Sequence, residues 1–455
     1  MSISAPDSKK VHVVSLGCPK NLVDTELMIG RLQQGGFDLT GEANGADVLL
    51  VNTCAFIESS KEESVDAILD MADIKAANPG ARLVVAGCLS QRHAPELSAE
   101  MPEVDLFIGT GEYDRLAEAL ELPPAPSGPF TGLRKGRSEY IADHFAPRYV
   151  APNSFSTYLK IAEGCSQGCA FCIIPKLRGV QRSRTIDDVV AEARDLASRG
   201  VVEVNLVAQD LTHYGEDIGD GKALVKLVRR LGEVEGLRWV RLMYAYPHNF
   251  GDDLIDAMAE TENCLKYIDM PIQHSSDQVL EAMNRRTSRA EIEALLTKLR
   301  ARIDNLVLRT TLLVGHPGET DADFEDLYSF VQGQRFERMG CFMYSQEEGT
   351  FSARMDRQLP TAVKRLRHSR LMALQKSISA AHQQAMVGRE VDVLVEGLSD
   401  ETDLLLQGRT GGQAPDIDGV VYINDAPDDI GRGQLRRALI TETAGEYDLV
   451  GHIIA

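Results

Sequence analysis

Three short apolar runs open the chain: VHVVSLGC from Val11, DVLLVNTC from Asp47 and RLVVAGC from Arg82. Each is rich in β-branched residues and lacks polar alternation, as expected of a strand buried on both faces of a parallel sheet. Helical patterns follow the first two, NLVDTELMIGRLQQGG and ESSKEESVDAILDMADIKAA. The pattern predicts a βαβαβ unit. Each run ends in a cysteine, Cys18, Cys54 and Cys88. Ligands of open α/β sheets collect beyond the carboxyl ends of the strands. Three thiols at equivalent ends therefore point to one shared metal site, in preference to three packed core cysteines.

The pattern breaks at LPPAPSGPFTGLRKGRS, a linker by composition. Strand and helix then alternate again over roughly 150–360. The candidate strands are STYLKIAEG, VVEVNLVAQD, LRWVRLMYAY, CLKYIDMPIQ, LVLRTTLLVG and MGCFMYSQ. Amphipathic stretches such as IDDVVAEARDLASRG and EIEALLTKLRARI separate several of them. Six strands are too few for a closed eight-stranded barrel, so a partial barrel open along one side is expected.

TAVKRLRHSRLMALQKSISAAHQQAMVG reads as one long helix. Its expected apolar stripe is Val363, Leu366, Leu371, Leu374 and Ile378, and its expected solvated basic face is Lys364, Arg365, Arg367 and Arg370. From about Gly388 short strands are split by Gly and Asp turns, which predicts a small all-β barrel of OB-like type.

Length and composition narrow the class. The 455 residues suffice for two or three domains, and 44% hydrophobic with 25% charged residues is ordinary for a globular protein. The amino terminus MSISAPDSKK has no apolar leader pattern, and no apolar run is long enough to span a bilayer, so a cytoplasmic protein with no membrane partner is expected. Eight cysteines in such a chain suggest metal ligands or redox groups more than disulfides. The formal net charge of −20 argues against generic nucleic-acid binding. From Arg389 onward five Arg and no Lys stand against fourteen Asp and Glu, a net of −9.

The densest candidate chemistry is EGCSQGCAFCIIPKLRG, from Glu163, where Cys165, Cys169 and Cys172 fall within eight residues. The loop follows the first strand of the second segment, at the end of a barrel where active sites lie. A four-iron cluster takes one thiolate per iron, so three cysteines leave one iron open to a ligand that is not protein. The competing readings are structural zinc short of a fourth ligand, a Cys169–Cys172 redox pair and an inert loop. Cys264 and Cys341 sit in apolar surroundings and read as core thiols. GTGEYD, at Gly109, is a lone glycine turn without a phosphate-loop pattern.

CSQGCAFC matches the CxxxCxxC spacing of radical S-adenosylmethionine enzymes, and nearly the whole chain resembles their methylthiotransferase family. SLGCPKNLVDTE and CSQGCAFCIIPKLRG are similar to the branch that modifies an aspartate of small-subunit ribosomal protein S-twelve. The sister branch, which acts on tRNA, differs at these stretches. The resemblance implies an α/β fold in four parts. These are an amino-terminal parallel α/β domain (1–122), a linker (123–150), a partial (β/α)6 radical barrel with its connecting helix (151–385) and a small TRAM β-barrel (386–455).

It implies two 4Fe–4S clusters and S-adenosylmethionine as cofactors. Cys165, Cys169 and Cys172 would hold the cluster that chelates S-adenosylmethionine, and Cys18, Cys54 and Cys88 an auxiliary cluster carrying the sulfur to be donated. Phe171, Gln209, Asp210, Gln273, His274, Gly315, Pro317, Gly318 and Glu319 would face the cofactor, and His316 stands where the family has an apolar residue. The implied partners are ribosomal protein S-twelve, free or on the ribosome, and a reducing electron donor, with tRNA disfavoured. An acidic terminal barrel would steer a basic ribosomal protein through Asp400, Glu401, Asp403, Asp416 and Asp418. The other readings are a tRNA methylthiotransferase of the same architecture, a non-catalytic iron–sulfur carrier and a zinc-containing interaction protein.

Overall fold

The computed structural model describes residues 8–121, 130–131, 140–402, 404–427 and 429–454. The Pro- and Gly-rich linker falls largely outside them, as does Asp403. Strands β1 (Lys9–Ser15), β2 (Phe37–Leu39), β3 (Val48–Thr53), β4 (Arg82–Gly87), β5 (Leu106–Ile108) and β6 (Phe130–Thr131) form a parallel sheet in the order β2-β1-β3-β4-β5-β6. The three apolar runs are its central strands. β2 and β5 are three residues each, too short to show a period.

The second segment carries β7 (Ser156–Lys160), the short antiparallel pair β8 (Ala162–Glu163) and β9 (Arg182–Ser183), then β10 (Glu203–Val207), β11 (Trp239–Leu242), β12 (Cys264–Asp269), β13 (Val307–Val314) and β14 (Arg338–Met343). The large sheet runs β14-β13-β12-β11-β10-β7 with every pair parallel. β14 and β7 do not pair, so the barrel is open between them. Helices on its outer surface bury the main hydrophobic core, which includes Cys264 and Cys341. The third unit is a closed barrel of β15 (Glu390–Leu398), β16 (Leu406–Thr410), β17 (Val421–Asp425), β18 (Leu435–Ala444) and β19 (Asp448–Ile453). No described helix is long and apolar enough to cross a membrane.

The closed barrel stops the amino-terminal mouth of the open one. Arg409 donates to Glu203 Oε2 at 2.6 Å and to Glu396 Oε1 at 2.6 Å, and Arg241 donates to Glu203 Oε1 at 3.0 Å and to the Gly411 carbonyl at 2.8 Å. A Cβ on Gly411 or Gly412 would meet Leu265 or Val307 at 2.8 or 2.9 Å, so a side chain at either would have to push those neighbours aside for the loop to enter. Beyond it the hydroxyl of Tyr158 donates to Asp416 at 3.1 Å and that of Tyr267 to Asp418 at 2.8 Å. Asp416 and Asp418 thus serve the interface between the barrels, and the Asp418 side chain is buried there. The acidic docking face expected from sequence loses Asp418, while Asp416 stays exposed beside Tyr158.

The long helix, Thr361–Gln384, also departs from expectation. Leu371 and Ile378 are buried, but Leu366 is 61% exposed. Arg367, expected in solvent, is buried and paired with Glu319 and Asp321 at 2.8 and 2.7 Å. Its planar guanidinium spans two carboxylates that hydrophobic periodicity does not register.

Burial alone would raise the pKa of Glu203, but Arg409 and Arg241 outweigh it and lower it from the usual 4.5 to about 2. A carboxylate lowered on folding stabilises the fold above its unfolded pKa, and that contribution is lost as pH falls through the folded value. About 3 kcal/mol of stability should therefore vanish between about pH 4.5 and pH 2. Urea unfolding of wild type and Glu203→Gln across this window checks it: the variant should lack this component, and parallel curves would contradict it.

Candidate functional site

β1, β3 and β4 are neighbours, so their carboxyl ends lie side by side. Cys54 directly follows β3 and Cys88 directly follows β4. Cys18, three residues past β1, is the N-cap of the helix Pro19–Gln34. Gly17 adopts φ +92°, and a Cβ there would lie 2.9 Å from the Cys54 Cβ. Only glycine lets the turn pass this closely over the second cysteine.

Polar side chains fix these ends. Asn52 donates to the Asn21 carbonyl at 2.9 Å and to Thr25 Oγ1 at 2.8 Å, and Thr53 Oγ1 donates to the Ala86 carbonyl at 2.6 Å. Ser64 Oγ accepts from Cys54 N at 3.0 Å and donates to the Cys54 carbonyl at 2.9 Å.

The second set lies on the loop after β8. Cys165 N donates to the Gly179 carbonyl at 3.0 Å, Ala170 N to the Met283 carbonyl at 2.8 Å, and Asn284 Nδ2 to the Gly168 carbonyl at 2.8 Å. Arg285 donates to Cys169 Sγ at 3.6 Å and stacks on Tyr246, with its centre 3.8 Å from the ring centroid. Phe171 packs against Val279, Met283, Leu313 and Tyr344.

A buried charge cluster joins the two sets. Lys160 Nζ pairs with Asp24 and, at 2.7 Å, with Glu163. Arg178 Nη1 donates to Asp24 Oδ2 at 2.9 Å and to Glu163 Oε1 at 3.0 Å. Its Nη2 donates to Asn21 Oδ1 at 3.1 Å and to Cys88 Sγ at 3.6 Å. Arg178 ends the helix just after Cys172, so one guanidinium links the loop of the second set to a thiol of the first. Asp24 and Glu163 match Lys160 and Arg178 in charge. Burial would raise the Glu163 pKa, but Arg178 and Lys160 hold it well below the usual carboxylate range.

The other sequence candidates occupy defined places. Gln209 Nε2 donates to Glu163 Oε1 at 2.9 Å, while its buried Oε1 has no protein partner. Asp210 accepts from Gln167 Nε2 at 2.6 Å and from Thr212 N and Oγ1 at 3.0 and 2.8 Å, so it braces the cysteine loop. Both residues lie just beyond β10. Gln273 lies beyond the end of β12, at φ +77°, and its N–H and carbonyl bridge to Thr311 and Leu313 on β13.

His274 is fully buried. Its Nδ1 accepts from Ser276 N at 3.0 Å, its Nε2 has no protein partner, and burial pushes its pKa down to about 3. Gly315, Pro317, Gly318 and Glu319 form a turn under the long helix. Glu319 accepts from the N–H groups of Gly315 and His316 and pairs with Arg367, and burial raises its pKa to about 6. His316 Nε2 lies 2.8 Å from Ser352 Oγ, and its Nδ1 has no protein partner. Sequence reasoning missed Asn21, Asp24, Lys160 and Arg178 as site residues. The signal was present, since Asn21 and Asp24 stand inside SLGCPKNLVDTE, but their partners are remote in the chain.

The donor chemistry suits iron–sulfur clusters. Burial, with a smaller contribution from neighbouring thiols, pushes the pKa of Cys88 and of Cys172 up to about 12. Bound metal removes such protons outright. No three described His, Cys, Asp or Glu side chains converge tightly enough for a single ion. Three thiols per set, each able to bind its own iron, suit a four-iron cluster with one iron left to a ligand that is not protein.

Three family models match the chain: "Uncharacterized protein family UPF0004" over residues 10–109, "Radical SAM superfamily" over 159–331 and "TRAM domain" over 387–454. Among curated proteins, a ribosomal protein uS12 methylthiotransferase RimO from Anaeromyxobacter sp. (strain K) is 52% identical, covering 98% of this chain and 93% of that one. RimO proteins of the same description from Geotalea uraniireducens and Myxococcus xanthus are 47% and 48% identical, covering 99% and 98% of this chain and 100% and 92% of theirs. Among solved structures, the radical S-adenosylmethionine methyltransferase TsrM from Kitasatospora setae shares the fold, with a TM-score of 0.52 at 16% identity over 74% of this chain and 75% of that one. The radical enzyme OxsB does so with a TM-score of 0.53 at 13% identity, over 80% and 56%.

Removing one member of a buried charge cluster leaves its partners uncompensated, which costs about 3–5 kcal/mol. Asp24→Asn should therefore lower the unfolding free energy by about 3 kcal/mol or more. Arg229→Gln, which breaks an exposed pair with Glu260, should change it by less than about 1 kcal/mol. Equal effects in denaturant titrations would contradict the role given to Asp24.

Proposed function

Because the chain belongs to the ribosomal protein uS12 methylthiotransferases named RimO, we propose that it adds a methylthio group to the β-carbon of an aspartate in ribosomal protein uS12. It is a radical S-adenosylmethionine transferase, and it uses iron–sulfur chemistry. The observation that carries the finer reading is the pairing of two three-thiol sets across Arg178, which reaches Cys88 from the loop of Cys165, Cys169 and Cys172.

Cys165, Cys169 and Cys172 would hold a 4Fe–4S cluster that binds S-adenosylmethionine, and Cys18, Cys54 and Cys88 would hold a second. When bound, these groups supply a radical able to take hydrogen from an unactivated C–H bond and a sulfur to replace it, with electrons from an external reductant. The protein contributes position and exclusion of water. Phe171 and its apolar neighbours offer a flat surface for the adenine. Gln209 Oε1 and His274 Nε2 remain as buried acceptors or donors for the cofactor's polar groups. Asp210 and Glu319 act one step back, fixing the cysteine loop and the glycine turn.

The helix Pro19–Gln34 packs along β7 on the open side, so a polypeptide loop would enter at the carboxyl ends of the strands. The net charge of −9 in the terminal segment suits a basic protein substrate and repels tRNA. With Asp418 in the barrel interface, any steering by that segment falls to exposed groups such as Asp400, Glu401 and Asp416.

Anaerobic reconstitution should load about eight irons per chain, one four-iron cluster per thiol set. Replacing Cys18, Cys54 and Cys88 together by Ala should leave about four, with reductive cleavage of S-adenosylmethionine retained and no methylthio adduct on uS12 by mass spectrometry. About four irons in the wild type, or an adduct formed by the triple variant, would overturn the two-cluster reading.

A further inference from the structure

The described Lys and Arg side chains classed as buried are eight in number, and six of them pair with carboxylates: Lys160, Arg178, Arg184, Arg241, Arg367 and Arg409. Arg285 donates instead to Cys169 and to the Pro271 carbonyl. Lys20 is the exception. It is 7% exposed, and its Nζ sits over the Tyr244 ring, 3.1 Å from the centroid. Removing an ammonium from water without an anion is costly, and a ring face offsets only part of that cost.

The position is specific. Lys20 lies in the first turn of the helix Pro19–Gln34, two residues after Cys18. One and two turns later Val23 and Leu27 pack inside the barrel with Tyr158, Val207, Met243 and Tyr267. The helix therefore lines the open side of the barrel along β7 and carries Lys20 toward the carboxyl ends of the strands.

Tyr244 follows β11 and takes φ +63°, a conformation unfavourable for a side chain of this size. It is pinned there, its N–H donating to Asp269 Oδ2 at 3.1 Å and its carbonyl accepting from Leu211 N at 3.0 Å. Arg309 already pairs with Asp269 at 2.8 Å, and Lys160 and Arg178 claim Asp24. The nearby acids are thus taken, and the ammonium on its aromatic seat lacks an anion.

We propose that Lys20, seated on Tyr244 two residues after Cys18, binds the carboxylate of the target aspartate and selects it over neutral side chains. The proposal rests on the functional reading above. A chain of net charge −20 repels an incoming carboxylate, so a local buried cation is required at the point where that group must rest. One charge-assisted hydrogen bond to Nζ would hold the carboxylate and turn the adjacent β-carbon toward the radical site.

The test uses reconstituted holoenzyme and two peptides of the uS12 target loop, one with the native Asp and one with Asn in its place. Binding by fluorescence anisotropy and kcat/KM by mass spectrometry are both read. Wild type should favour the Asp peptide by about tenfold or more in each. Lys20→Gln should bring the ratio close to one, and Lys20→Arg should keep most of it. An unchanged ratio in Lys20→Gln with full iron content would overturn the assignment, as would a wild type without preference in binding. If Lys20→Gln fails to fold, the wild-type and Lys20→Arg ratios still decide. An Asp preference in binding that depends on Lys20, without product from either peptide, would leave this site standing and reject the reaction.

Discussion

Four buried charges hold the two reactive halves of the molecule in register. Asp24 from the amino-terminal domain meets Lys160, Glu163 and Arg178 from the open barrel, with no net charge among them. Such a cluster is a poor source of stability compared with apolar packing, because desolvation consumes most of the Coulomb gain. It is a strong source of position, since a shift of either domain strands a charge in a dry interior. Arg178 extends that register to chemistry, as the same guanidinium that binds Asp24 and Glu163 also reaches the Cys88 thiol.

The other end of the open barrel is treated differently. There Glu203 lies between Arg241 and Arg409, and the Gly411–Asp418 loop of the terminal barrel fills the mouth between the strands. With that end stopped and the helix Pro19–Gln34 packed along β7, access remains at the carboxyl ends of the strands. The loop of Cys165, Cys169 and Cys172, and Lys20 on Tyr244, lie beyond strand ends on that side. The terminal domain is thus a structural part of the radical barrel as well as an acidic appendage.

The fold was largely legible in the amino-acid pattern because its strands are short runs rich in apolar residues and its turns are marked by Gly, Pro and Asp. The cysteines were legible because thiols at strand ends and in tight spacing have few bland explanations. Asp24 and Lys160 were not, for a physical reason. They are 136 residues apart, and each sits in an element whose periodicity is set by its apolar neighbours. Arg367 and Asp418 failed the same way, since a charged side chain in sequence reads as solvent-facing until its partner is placed. Lys20 was hidden in plain view: it lies within the quoted SLGCPKNLVDTE, and only the three-dimensional surroundings show that its charge is unmatched.

The central claim is that the protein holds two iron–sulfur clusters close together across one buried charge cluster. Electron paramagnetic resonance of the fully reduced, reconstituted protein tests it most directly. Two neighbouring paramagnetic clusters should give a magnetically coupled spectrum that collapses to a simple one when Cys18, Cys54 and Cys88 are replaced. A wild-type spectrum equal to the sum of two independent signals, or one identical to that of the variant, would contradict the account.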